Sequence, residues 1–356
     1  MGKLIIDGIE FKFNNIYKNG VETDEIESDM FYENKLLTYV EMDMITVINY
    51  QAFRRCSNLH TAIFKRLRVI GENAFSGCGF KTIDISNVVS IGEGCFRGCE
   101  IETISLNDEI TEIPMEAFCE CETLKTIKLP SNLEAVRYRA FYRCTKIEKM
   151  QIPTTIRVIE SYAFYLSGAG EIILTEEVEI GTDAFWGCYF KKVVIKKITT
   201  IQKGMFARSS IIAAEFESVD KIERMGFEFC KKLTSIFMPK VREIEDFAFQ
   251  YCENLTITSL PQTLEKIGIA SFAITKIAIT KLPKKITTIP SSCFYGCLSL
   301  TNLSLGDKGY PVTFIHEIAF GNCENLTNLT IYTTGGQALA GAPWGATNAT
   351  ITYLEA

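Results

Sequence analysis

The chain of 356 residues carries 37 Lys and Arg against 43 Asp and Glu, a formal net charge of −6, which argues against nucleic acid or an anionic membrane as partner. Its hydrophobic content of 47% and charged content of 22% are those of an ordinary folded protein. No apolar run approaches the ~18 residues that span a bilayer, so membrane insertion is not expected. The opening MGKLIIDGIEFKF has a short apolar patch broken by Asp7 and lacks the layout of a secretory signal peptide. On that ground alone the expected address is cytoplasmic, or the leader has been trimmed.

Residues 1–47 are expected to form an N-terminal cap. Leu4, Ile6, Ile9, Phe11 and Phe13 alternate around Asp7-Gly8, the pattern of a short hairpin. Glu22–Glu33 is acidic and reads as the polar cover that the first coil of a stack requires, with a degenerate coil over Leu36–Ile48.

From Ile48 onward one template repeats. An aliphatic residue is followed five positions later by Phe and three after that by Cys, as in Ile70–Phe75–Cys78, and then by an apolar alternation such as Ile83 and Ile85. Ten copies keep all three residues. Three more, at Phe164, Phe206 and Phe272, keep the aliphatic and the Phe but replace Cys by Ser167, Ser209 and Thr275. The Phe-to-Phe step is 21 to 23 residues, rising to 26 only between Phe294 and Phe320. A fixed period of this size predicts a solenoid with one supersecondary unit per coil, about 13 coils in a single core.

Each coil divides in two. In the fourth, Leu124, Ile127 and Leu129 form the L-x-x-L-x-L of a strand, ended by Pro130, which has no N–H for a ladder. Glu116–Cys121 reads as a short helical turn that lowers Phe118 into the core. Strands of successive coils then form a parallel sheet about 4.8 Å apart, with the phenylalanines stacked in a file. Alternation along each strand sends Ile127 inward, and Thr126 and Lys128 outward. The same register places Thr82, Asp84, Thr103, Ser105, Lys149, Gln151, Lys192, Val194, Ser235 and Phe237 on the outward face, where Val194 and Phe237 are exposed apolar exceptions. These twelve residues are the candidate binding face. Gly335–Ala356 breaks the period, and Trp344 with the alternating Ile351 and Tyr353 is expected to cap the last coil.

The pattern I-G-x-x-A-F-x-x-C-x-x-L-x-x-I-x-L-P, spread over about Ile48–Ile331, resembles the BspA-like (Treponema pallidum-type) leucine-rich repeat. That resemblance implies a right-handed curved stack with the sheet on one face and short helical turns or loops opposite. It also implies a bacterial or protozoan source, placement at the cell surface or secretion, and adhesion or protein binding in place of catalysis.

Candidate chemistry is sparse. The 13 cysteines fall mostly at one template position, and free Cys is among the most buried residue types, so they are expected to be structural thiols and not metal ligands or required disulfides. The two histidines, His60 and His316, lie far apart in the repeat and have no motif around them, which leaves nucleophilic catalysis without a base. No phosphate loop or dinucleotide fingerprint occurs, and no cofactor is expected. The Asn-x-Ser/Thr triplets at Asn254, Asn302, Asn325, Asn328 and Asn348 are read as products of the strand-entry pattern. Lys191, Lys192, Lys196, Lys197 and Lys203 are read as a solvated face, with docking of an acidic partner as the alternative. The expected function is therefore non-catalytic recognition of a protein or host-surface (extracellular-matrix) molecule through the sheet face. The alternative is a structural element, of cell envelope or phage tail, that associates through its ends; a glycan-acting enzyme is the least favoured reading.

Overall fold

A computed structural model of the protein describes residues 2–18, 20–148, 150–168 and 170–356. The chain forms two compact units. The first runs up to Glu171 and takes in Val178–Phe185; the second comprises Ile172–Glu177 and Trp186–Ala356.

Unit 1 begins with the expected hairpin, β1 (Gly2–Ile6) and β2 (Ile9–Phe13), paired antiparallel through Asp7-Gly8. β1 also pairs antiparallel with β3 (Leu37–Met42), which pairs parallel with β4 (Thr61–Ile63). Further along the same coil position lie β5 (Thr103–Ser105) and β6 (Thr126–Lys128), paired parallel. In unit 2 the corresponding strands are β7 (Glu171–Leu174), β8 (Lys192–Ile195), β9 (Ala213–Phe216) and β10 (Ser235–Phe237), hydrogen-bonded in that order. They are followed by β11 (Asn302–Leu305), β12 (Asn328–Thr333) and β13 (Thr350–Glu355), all parallel.

A second parallel ladder, not anticipated from the periodicity, runs through the template's aliphatic position. Each coil contributes a two-residue rung there: Ile26 pairs with Ile48, Ile48 with Ile70, Val136 with Ile159, and Ile222 with Ile244. The Ile26 rung shows that the acidic segment assigned to the polar cover contains a turn of the stack. Its Phe31 lies five residues on, stacked 4.9 Å from Phe53, and Asn34 stands where later coils have Cys. The I-G signature belongs to this ladder too: a Cβ on Gly92 would lie 2.5 Å from the Glu72 amide nitrogen, so the coil below leaves room only for hydrogen.

The phenylalanines form the expected file. In unit 1 the rings of Phe31, Phe53, Phe75, Phe96, Phe118, Phe141, Phe164 and Phe185 stack in sequence, and in unit 2 those of Phe206, Phe227, Phe249, Phe272, Phe294 and Phe320 do so. Centroids are 4.9 to 5.8 Å apart. Such near-parallel offset pairs add roughly 0.5–1.5 kcal/mol each beyond the area they bury.

The segment carrying each Phe is not helical. Among the described residues the sole helix is the 3-10 turn Thr334–Gly336. In the fourth coil Glu116 and Glu120 both adopt left-handed backbone, φ 55° and 62°, which a right-handed helix does not tolerate. The amides of Glu116, Phe118 and Glu120 instead donate to Tyr138, Ala140 and Tyr142 of the next coil, while Cys119 and Cys121 close tight turns within their own. Stacking between coils thus captures the amides that a helix would have used.

The thirteen cysteines are all buried and none is in a disulfide. Nine of the thiols donate to a Phe carbonyl of an earlier coil. Cys78 donates to the Phe53 carbonyl at 3.1 Å, Cys99 to Phe75 at 2.9 Å, Cys121 to Phe96 at 3.0 Å and Cys252 to Phe227 at 3.1 Å. The template position needs a small side chain that packs as a hydrophobe yet donates one proton. Burial pushes the Cys99 thiol up to about 12, which keeps that proton in place at neutral pH.

Candidate functional site

Six of the twelve outward-face residues come together in unit 1. Thr82, Asp84, Thr103, Ser105, Thr126 and Lys128 line one groove of about 670 Å³. The groove lies where the sheet is interrupted. β4 ends one ladder and β5 begins another, and between them Thr82–Asp84 joins neither. None of these three residues makes a backbone hydrogen bond within the described chain. Their amides and carbonyls are therefore open to a bound molecule. Two phenylalanines stand beneath, at template positions that most coils give to Leu or Ile and that Phe190 and Phe216 hold in unit 2. Phe64 borders the groove, and Phe80 meets Phe75 edge-on at 5.4 Å.

Sequence reasoning did not place His60, Thr61, Ile63 and Lys65, which complete the groove, on the binding face. The signal was available: Leu59, Ala62 and Phe64 follow the strand template one coil earlier, so the register that selected Thr82 also selects Thr61 and Ile63. Thr61, Thr82, Thr103 and Thr126 form a row of hydroxyls at the same strand position in successive coils, each able to donate and accept. Of the charged groups, Lys65 pairs with Asp43 at 2.9 Å and Asp84 accepts from the Ser86 amide at 3.0 Å. Asp84 is the lone carboxylate lining the groove, so the pair of acids that glycoside hydrolysis requires is not assembled there.

Gln151 is exposed on the same unit but lies outside the groove, and Lys149 falls outside the described residues. In unit 2, Lys192, Ser235 and Phe237 line a smaller depression of about 230 Å³ together with Ala213 and Glu215. Phe237 is 53% exposed. Val194 is a correction: it is 8% exposed and does not present an apolar surface. The difference follows from position in the sheet. Val194 sits on β8, flanked by β7 and β9 with Glu215 as its register partner, whereas Phe237 sits on β10, the outer strand of this four-stranded sheet.

The lysine group is divided. Lys196 pairs with Glu217 at 2.9 Å and Lys197 with Glu176 at 2.7 Å, leaving Lys192 to face the depression. The asparagines of the N-x-S/T triplets have structural roles as well. Asn254, Asn325 and Asn348 each donate to a carbonyl of the preceding coil, at Lys231, Leu298 and Glu324.

A family model described as BspA type leucine rich repeat region matches in six copies over residues 12–101, 89–213 and 220–336. The chain belongs to the BspA-type leucine-rich repeat family. Among solved structures it is similar to a leucine-rich repeat protein from Bacteroides ovatus, at 22% identity over 96% of this chain and 90% of that one, with a TM-score of 0.77. It is also similar to the pneumococcal vaccine antigen PcpA, at 16% identity over 93% and 85% of the two chains, with a TM-score of 0.50. At these identities the likeness is one of fold. The search of curated proteins gave no match.

Proposed function

We propose that this leucine-rich repeat protein is a non-catalytic binding protein. In this reading it recognises a protein or host-surface molecule through the groove over Thr82–Asp84, and it acts at the bacterial cell surface or after secretion. The observation that carries the reading is the break in the ladder. In the paired strands on either side, Thr61–Ile63 and Thr103–Ser105, the main chain is engaged with the coil beyond. Here unpaired amides and carbonyls of Thr82, Ile83 and Asp84 lie beside a row of threonine hydroxyls. A buried polar group without a partner costs roughly 1–3 kcal/mol, so a molecule that covers these groups must supply donors and acceptors of its own. Recognition is then by many modest polar contacts along an extended face, the usual mode of solenoids. Surface placement is supported by family membership and by the likeness to a vaccine antigen.

The test is binding of the purified chain to a panel of extracellular-matrix proteins and to cultured host cells, set against Thr103→Arg. This change places a long cation in the middle of the groove at an exposed position, and should leave the melting temperature unchanged. Loss of binding by the variant supports the groove as the site. Equal binding by both proteins overturns it.

A further inference from the structure

The first sheet of unit 1 ends on β2, whose outer edge has no backbone partner among the described residues. The side chains of β2 separate cleanly by face. Ile9, Phe11 and Phe13 stand in register with Ile6, Leu4 and Gly2, and these with Leu37, Val40 and Met42 of the core. β2 thus continues the apolar, core-facing side of the sheet beyond the hairpin. Phe13 folds back over Gly2, where a Cβ would lie 2.2 Å from its ring. Ile9 and Phe11 have no such cover and are 60% and 48% exposed. A solenoid end is expected to be closed by polar residues, and an exposed edge to be blunted, since an open strand is a template for another strand. Along Ile9–Phe13 the apolar face has no polar cover, and Glu10 and Lys12 on the other face are the strand's charges.

The opposite face of β2 carries its charges. Lys12 stands across from Lys3, its register partner, and like charges placed directly opposite are destabilising. Glu10 reaches both, Lys3 at 2.8 Å and Lys12 at 2.9 Å, so one carboxylate serves two ammonium groups.

We propose that β2 pairs antiparallel with β2 of a second copy of this chain, about a two-fold axis through Phe11. The order Ile9-Glu10-Phe11-Lys12-Phe13 selects this register by itself. With Phe11 opposite Phe11, Ile9 of one copy faces Phe13 of the other, and Glu10 faces Lys12 in both directions. A slip of two residues sets Lys12 against Lys12 or Glu10 against Glu10. A slip of one residue brings charged side chains onto the apolar face. Lys12, crowded by Lys3 within its own chain, gains a carboxylate directly across the new pair. The interface is isologous, as closed two-fold dimers require, and buries Ile9 and Phe11 of both copies. The edge of β13 answers this pattern less well: its sequence Thr-Ile-Thr-Tyr-Leu-Glu holds one acid and no base to meet Glu10.

Five residues a side fall short of the ~1,600 Å² typical of a stable complex, so a weak dimer is expected, with Kd on the order of 10–100 μM. Sedimentation velocity of the full chain across that concentration range reads it directly. Lys12→Glu sets acid against acid and should weaken the dimer at least about tenfold, whereas the exchange Glu10→Lys with Lys12→Glu restores complementarity and should restore the dimer. Under oxidising conditions Phe11→Cys should form a covalent dimer rapidly and Ile9→Cys should not, because position 11 alone meets itself. A monomer at every concentration overturns the proposal, as does a dimer indifferent to Lys12→Glu or an exchange variant that stays monomeric. Growth beyond a dimer also overturns it and indicates head-to-tail addition through β13. The groove over Thr82–Asp84 takes no part in these measurements, so this inference and the proposed function stand or fall separately.

Discussion

The sheet of unit 1 around Thr82 and the sheet of unit 2 around Val194 share one repeat template and end in different surfaces. In unit 2, β7 to β10 pair without interruption, the short Val194 is sunk between its neighbours, and the depression beside it is small. In unit 1 the ladder stops at β4 and resumes at β5, and the groove there is about three times as large, 670 against 230 Å³. What separates the two is the continuity of main-chain pairing, not composition, because both faces combine hydroxyls, lysine and a single acid. A solenoid binding surface is therefore located as much by where its ladder fails as by which side chains face out.

A file of stacked rings lies in the core of each unit, and removing a ring should hurt either alike. Phe118→Ala in unit 1 and Phe249→Ala in unit 2 should each cost about 3–5 kcal/mol, read from chemical denaturation. A loss well under 1 kcal/mol in either would break the equivalence of the two files. The sheets themselves should differ strongly in hydrogen exchange. The amides of Thr82, Ile83 and Asp84 should be protected at least ~100-fold less than those of Val193, Val194 and Ile195, a gap of about 2.7 kcal/mol in local opening. Equal protection would remove the contrast. At the thiol position, Cys99→Ala removes one of two donors to the Phe75 carbonyl, which keeps the Cys78 amide, and Cys252→Ala one of two to the Phe227 carbonyl, which keeps the Cys230 amide, each at a cost of about 0.5–1.5 kcal/mol. The serine variants should lose less, as Ser167 and Ser209 already hold this position elsewhere. The smallest effect is expected at the turn residue two places past the Phe. Arg143 adopts φ 59° where Gly77, Gly98, Gly187 and Gly296 take the same conformation in other coils, so Arg143→Gly should raise stability by roughly 0.5 kcal/mol.

Much of this was legible in the residues. The Phe period predicted the ring file, and the Cys, Ser and Thr alternation predicted buried unpaired thiols, because both depend on one side chain meeting its own counterpart a coil away. Three features were not legible. The turn carrying Glu116–Cys121 looks helical by spacing, since i, i+3 contacts occur in tight turns and helices alike; the left-handed Glu116 and Glu120 are visible only in the backbone. Val194 and Phe237 both occupy outward positions by alternation, and only the strands on either side decide which of them is covered. The Ile26–Phe31 turn was hidden because Asn34 replaces the Cys that marked other copies.

The amino-acid order alone determined that coils repeat every 21 to 23 residues, which side of each strand turns inward, and which rings and thiols form files, since each follows from local spacing multiplied by repetition. Tertiary structure decided where neighbouring strands hydrogen-bond and where they do not. That depends on how adjacent coils seat against each other, a cooperative property of packing that no single copy of the template encodes: Phe190 and Phe216 repeat Phe80 and Phe64 beneath an unbroken ladder.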